Sequence, residues 1–239
     1  MELKIIYEND NVLVVDKTAG IVVFPEGKNL SPNEKKTLIE CLVEKKPELK
    51  KAGLSPRYGI VHRLDKDTSG ILLVAKNNDS LLFLQKQFKE GRVAKKYLAL
   101  ATGNIKENQG KIKTLIGRSP KDRRKQKAYF KEENPKGKRE AETNYKVLKR
   151  FEGFTLLEIE PKTGRKHQIR CHLNSIGNPI AGDKLYGFKN QPCPKGLNRQ
   201  FLHANYLKIN LSPNENREFE SKLPEDLNKI IKTLKENDE

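Results

Sequence analysis

Four short segments carry residue types able to do chemistry. The first is Val61-His62-Arg63-Leu64-Asp65-Lys66-Asp67-Thr68-Ser69-Gly70, ahead of the apolar run Ile71 to Ala75. If 62–65 is extended, Arg63 and Asp65 point to one side and His62 and Leu64 to the other. A carboxylate at the lip of a sheet, beside a guanidinium, is available as a nucleophile or a base. Asp65-x-Asp67-x-Ser69-Gly70 also matches the first half of a calcium loop. That loop needs a bidentate Glu at its twelfth position, where this chain has Lys76, and its flanks must be helices. Calcium is rejected on both counts, and an ordinary Asp-rich turn remains the bland alternative.

The second segment is Thr163-Gly164-Arg165-Lys166-His167-Gln168-Ile169-Arg170, at the entry to a short helix. Gly164 permits a tight turn, and the fork of Arg165 suits a phosphate or a carboxylate. His167 and Cys171, four apart, could begin a metal site, but no third and fourth ligand is evident, so no metal is expected. The third is Arg92-Val93-Ala94-Lys95-Lys96-Tyr97-Leu98-Ala99-Leu100. Tyr97 serves either as strand packing or as a platform on which a base stacks. The fourth is the basic stretch from Arg118 to Lys127, including Arg123, Arg124 and Lys125 with Asp122 as the sole acid. RNA-backbone contact is favoured there over an inert solvated loop.

The elements that must position these residues follow from periodicity and punctuation. Ile5 to Tyr7 and Val12 to Val15 read as strand, turn, strand, and Ile21 to Phe24 as another extended run. A helix is expected over Thr37 to Lys45, ended by Pro47. Gly70 to Ala75 reads as a buried strand, followed by a helix capped by Asp79 or Ser80 and closed at Gly91. Further strands are expected at Tyr97 to Ala101, Lys111 to Ile116, Thr143 to Leu148, Phe154 to Ile159 and Asn205 to Leu211. Ile169, Leu173 and Ile176 line a short helix. A terminal amphipathic helix occupies about 224–236, after Pro224. Strands dominate and do not alternate regularly with helices, which predicts an α+β fold with a largely antiparallel sheet, a single domain over 1–239.

The chain has 239 residues, with 48 Lys and Arg against 31 Asp and Glu, a formal net charge of +17. Such a field attracts polyanions and speeds their capture, so structured RNA is the expected partner, with an anionic membrane surface as runner-up. Three cysteines without framework spacing fit a reducing compartment. No apolar run is long enough to span a bilayer and no secretory signal is seen, so a soluble, cytoplasmic monomer without an obligate protein partner is expected. No phosphate loop, dinucleotide fingerprint or serine elbow appears, which points to side-chain chemistry with no cofactor.

These segments together resemble the RluA-type pseudouridine synthase family. His62-Arg63-Leu64-Asp65 with Thr68-Ser69-Gly70 matches its specific signature. Val14-Val15-Asp16-Lys17 with Ala19-Gly20, Lys96-Tyr97-Leu98-Ala99, and Gly164-Arg165 with His167-Gln168-Ile169-Arg170 resemble its other motifs. Gly182-Asp183, Tyr186-Gly187 and Leu202-His203-Ala204 also fit. The likeness runs from about residue 5 to Pro224.

The resemblance implies a pseudouridine synthase fold, a mixed bifurcated sheet with flanking helices and a central RNA-binding cleft. It implies an isomerase that converts uridine in ribosomal or transfer RNA to pseudouridine. Asp65 would attack the target uridine, Tyr97 would stack on its base and act as a general base late in the reaction, and Arg165 would pair with Asp65. Arg63 would help displace the nucleotide and Ile169 would pack on the base; His62, Lys96 and Arg170 would join the basic loop in binding substrate. A base inside an RNA helix must first be extruded, and phosphate contacts can offset that penalty. Thr18 stands where the family often has proline, and Cys171 where an aliphatic residue is usual. The S4-type RNA-binding domain of many members is not expected ahead of the first strand. The competing readings are a catalytically silent RNA-binding protein on the same scaffold and a metal-dependent nuclease using Asp65 and Asp67.

Overall fold

The structure is a computed structural model that describes residues 4–25, 36–130 and 137–236. The rest of the expected 1–239 range lies outside the described residues. Among those described, ten strands and four α-helices form an α+β fold with antiparallel strand pairing. The chain divides into two compact units, Met1–Ala94 with Ala204–Ser221, and Lys95–His203 with Lys222–Glu239.

In the first unit, β1 (Lys4–Glu8), β2 (Val12–Lys17) and β3 (Ser69–Ala75) are neighbours in that order, β9 (Leu202–Ser212) follows β3, and β10 (Glu215–Glu220) pairs with β9. Every residue of β3 is buried, as its unbroken apolar run requires. Val12, Val14, Ile71, Leu73, Leu207 and Ile209 form one core with Leu81 and Leu84 of α2 (Asn78–Lys89). Leu13, Val15 and Leu72 are buried too, and by the two-residue alternation they cover the opposite face. Gly70 has φ +116°, and a Cβ there would stand 2.2 Å from the carbonyl oxygen of Ala204, so only glycine lets β3 and β9 approach this closely.

Ile21 to Phe24, expected as an extended run, joins no sheet. The carbonyls of Val22 and Val23 instead accept the Leu38 and Ile39 N–H groups that open α1 (Leu38–Lys45). These amides have no partner within the helix, so the apolar run serves as its cap. Glu40 completes that end by accepting both the Thr37 amide and its hydroxyl, at 2.7 and 2.8 Å. Helix α2 is capped by Asn77, whose Oδ1 accepts the Ser80 amide at 2.9 Å, not by Asp79 or Ser80. A short 3-10 turn, Pro47–Lys51, follows α1.

The second unit has the strand order β4 (Ala94–Thr102), β8 (Phe154–Pro161), β7 (Arg139–Phe151), β5 (Gln109–Arg118), β6 (Gln126–Tyr129). Its core gathers Ala99, Ala101, Leu157 and Ile159 of the sheet, Ile169 and Leu173 of α3 (Gln168–Ser175), and Leu227 and Ile230 of α4 (Glu225–Thr233). Two strands have no counterpart in the sequence reading. β6 begins at the end of the basic stretch, and β10 is the polar hexapeptide ENREFE in which only Phe219 is buried. Neither carries the apolar alternation that marks a half-buried strand. Ile176, expected on the buried face of α3, closes that helix and is exposed.

Candidate active-site residues

In the first unit, the segment 61–68 is irregular and ends in a turn, with the Thr68 amide donating to the Asp65 carbonyl at 3.1 Å. Leu64 is buried and roots the segment. From the other side Lys17 holds it. This lysine is 1% exposed at the end of β2, and its ammonium donates to the carbonyls of Thr18, Ile21 and Lys66, each at 2.9 Å. The Gly20 amide also donates to Lys66. A buried ammonium needs its three donors met, and here three carbonyls from two loops meet them. Lys17 thus ties the 18–21 loop to the turn that follows Asp65. Lys17 has no expected role in the motif that contains it; a lysine closing an apolar strand is the signal that marks it.

His62 is pinned. Its Nε2 accepts the Leu73 amide of β3 at 3.0 Å, and its ring stacks on Phe88 of α2, with centroids 4.8 Å apart. An imidazole that accepts at Nε2 carries its proton on Nδ1 when neutral. His62, expected among the substrate-binding residues, thus serves as a post for the segment. Arg63 lies over the Phe24 ring at 5.2 Å, and Arg57 over the same ring at 4.6 Å. Burial pulls the Arg63 guanidinium below its usual range, and the negative charge of Asp65 opposes that pull. Arg63 and Asp65 are therefore close enough to interact electrostatically, on a segment fixed by Leu64, His62 and Lys17.

In the second unit, Tyr97 stands on β4 opposite Ile159 of β8 and packs against the core that contains Ile169. Tyr97 and Ile169 thus share one apolar layer. Lys96 points to the other face by the alternation of the strand, and there its ammonium meets Glu158 at 3.2 Å. Lys95, present in the third segment without an expected role, has the parity of Tyr97. Burial pulls its ammonium below the usual range; Glu160 opposes this and Lys162 adds to it. Period-two spacing from Tyr97 could have singled it out.

Arg165 sits in the turn between β8 and α3. Its Nε donates to the Glu140 carbonyl of β7 at 2.8 Å, and its amide donates to the side-chain oxygen of Gln168 at 2.9 Å. Partial burial and the nearby Arg139 draw its guanidinium below the usual range, against Glu140. With Nε held by the strand, the terminal nitrogens form the remaining edge of the fork. Arg170 behaves differently. Its guanidinium makes a two-pronged, buried ion pair with Asp183, at 2.7 and 2.8 Å, and lies 5.0 Å from the Tyr186 ring centroid. Asp183 also accepts the amides of Leu185 and Tyr186. Expected to meet substrate, Arg170 instead joins α3 to the 183–186 turn.

The basic stretch is a hairpin loop between β5 and β6. It is closed by the Ser119 amide on the Lys125 carbonyl and the Lys125 amide on the Asp122 carbonyl. Arg124 is committed to Asp122 through its Nε and a terminal nitrogen, at 3.0 and 2.9 Å. These bonds hold the Asp122 carboxyl down at about 2. The net positive contribution of the loop tip therefore rests on Arg123 and Lys125, with Lys121 beside them. His167 bonds to the Tyr186 hydroxyl at 3.1 Å, and burial pushes the Cys171 thiol up to about 12, far from the thiolate a metal would need. No group of three or more His, Cys, Asp or Glu side chains suited to a metal occurs among the described residues, and no helix there is long and apolar enough to cross a membrane.

Comparison with known proteins adds the family. The model of the RNA pseudouridylate synthase family matches residues 11–175. The chain is 42% identical to an uncharacterized RNA pseudouridine synthase of Aquifex aeolicus, over 82% of this chain and 59% of that protein. It is 39% identical to the ribosomal large subunit pseudouridine synthase D of Nitrosomonas europaea, over 98% of this chain and 65% of that protein. The chain thus spans less than two thirds of the length of these two relatives. A solved structure of the human RNA pseudouridylate synthase domain containing 1 superposes with a TM-score of 0.77 at 28% identity, covering 99% of this chain and 89% of that one. This chain belongs to the RluA-type family of RNA pseudouridine synthases.

Proposed function

We propose that this chain isomerises uridine to pseudouridine in RNA, with Asp65 as its catalytic carboxylate and no cofactor. The observation that carries the reading is the held segment around Asp65. Lys17, His62 and Leu64 fix the backbone on either side of it, and Arg63 faces it electrostatically. A carboxylate that must meet one carbon of a nucleotide needs such preorganisation, because small misplacements are expensive in rate.

The reaction breaks the C1′–N1 bond, turns the uracil and joins C1′ to C5. The C5 hydrogen leaves as a proton and N1 gains one, so no redox partner is needed. Asp65 acts by attack on the base, by attack on the sugar, or by removing a sugar proton. Tyr97 stacks on the uracil from an apolar layer shared with Ile169. Arg165, with its Nε held on β7, offers the rest of its fork to a carboxylate or a phosphate. Arg63 helps displace the target nucleotide, and Arg123 and Lys125 contact the backbone of the RNA. Ribosomal RNA of the large subunit is the first substrate to try, since relatives carry that name.

The test is tritium release from RNA labelled at uridine C5, taken from cells lacking this protein, together with carbodiimide mapping of the product. Asp65→Asn should lose release by at least about a thousandfold while still retaining the RNA on a filter. Equal rates for the variant and the parent remove Asp65 from its role. Tight RNA binding by the parent with no modified site in any RNA would favour the silent binding protein. Magnesium-dependent shortening of the RNA would favour the nuclease.

A further inference from the structure

We infer that Gln168 is a positioning residue for Arg165, a clamp that fixes the 163–165 turn to strand β7. This rests on the role proposed above for Arg165. The Gln168 side chain is 4% exposed and all four of its hydrogen-bonding positions are used. Its oxygen accepts from the Thr163 hydroxyl at 2.7 Å and from the Arg165 amide at 2.9 Å. Its nitrogen donates to the Glu142 carbonyl and to the Thr143 hydroxyl, each at 3.0 Å. The Thr163 hydroxyl in turn accepts the Glu142 amide at 3.0 Å. One side chain therefore bridges the turn and the strand that receives the Nε of Arg165.

Packing does not do this work in its place. A Cβ built on Gly164 would meet nothing within 4 Å, so the middle of the turn has open space and hydrogen bonds decide its position. The amide is suited to the task because one atom accepts twice and the other donates twice. A carboxylate would turn both donors into acceptors, facing the Glu142 carbonyl. A methionine would keep the length and lose all four bonds.

The anchor is itself anchored. The Thr143 hydroxyl lies 2.8 Å from His172 Nδ1, and His172 Nε2 lies 3.0 Å from the Thr114 hydroxyl. Thr143 and His172 are both fully buried. This chain of polar contacts extends from α3 across β7 to β5, so its far end can be cut without touching the turn. Only Gln168 and Thr163 touch the turn itself; Thr114 bears on it solely through His172 and Thr143, so cutting there leaves the four Gln168 bonds in place.

The experiment measures single-turnover tritium release from the C5-labelled RNA over a range of enzyme concentrations, giving a maximal rate constant and a half-saturating concentration. Gln168→Met should lower the rate constant about 10- to 100-fold and leave half-saturation within about threefold, as expected when a catalytic group is displaced but RNA contacts persist. Thr163→Val should do the same to a lesser degree, and it decides the matter by the same criteria if Gln168→Met does not fold. Thr114→Val, at the far end of the network, serves as the control for lost stability and should keep the parent rate. Gln168→Met combined with Arg165→Ala should be no slower than Arg165→Ala alone.

A parent-like rate for Gln168→Met beside a slow Arg165→Ala would overturn the clamp and leave the role of Arg165 standing. So would equal slowing by Thr114→Val, or multiplicative effects in the double variant. A parent-like rate for Arg165→Ala would instead overturn the role of Arg165.

Discussion

His172 should make the second unit sensitive to acid. Its imidazole is fully buried between the hydroxyls of Thr114 and Thr143, and burial drives it down from 6.5 to about 4. The unfolded chain, with a histidine near its usual value of about 6.5, takes up a proton before the folded chain does. The folded state is therefore at full advantage above that value, loses stability as pH falls toward about 4, and loses no more from this residue below it. The whole shift is worth roughly 3 kcal/mol, of which about 2 kcal/mol is lost between pH 7 and pH 4.5.

Carboxylates also titrate across this range, so the quantity to measure is a difference. Urea unfolding followed by circular dichroism at both pH values, for the parent and for His172→Gln, isolates the histidine. Glutamine retains polar contact with the threonines but does not titrate. The parent should lose about 2 kcal/mol more than the variant. If both lose the same amount within about 0.5 kcal/mol, the imidazole is either protonated at neutral pH or able to reach water when charged, and the reasoning from burial fails.

Two further outcomes follow from charges at opposite extremes of exposure. Arg170→Met strands the buried Asp183 and should cost about 3–5 kcal/mol in urea unfolding, while adding Asp183→Leu should recover much of it; no recovery would mean that the pair matters for packing and not for charge. At the hairpin tip, Arg123→Ala and Lys125→Ala should each reduce the salt slope of binding to single-stranded RNA by roughly 0.7, and Arg124→Ala by less because Asp122 already neutralises it. Equal effects at all three positions would show that the Arg124–Asp122 pair opens on the RNA.

The sequence by itself determined the family, the order of the main elements and the segments that hold the chemistry. His62-Arg63-Leu64-Asp65 and Gly164-Arg165 are local patterns, and the buried run after Gly70 is written as consecutive apolar residues. Strand parity was legible as well, for it follows from the backbone alone and separates Lys96 from Tyr97. What the linear order could not convey was which polar groups become partners. The demand of a buried charge for hydrogen bonds is met by whatever the fold brings near. Arg170 finds Asp183 thirteen residues away, Lys17 finds a carbonyl forty-nine residues away, and His62 takes an amide of β3. For the same reason Ile21 to Phe24 became a helix cap and the polar β10 became a strand: its pairing came from an adjacent edge and not from its own residues. Local propensity sets the elements, and tertiary contact decides which side chains remain available for RNA and which are committed to holding the protein together.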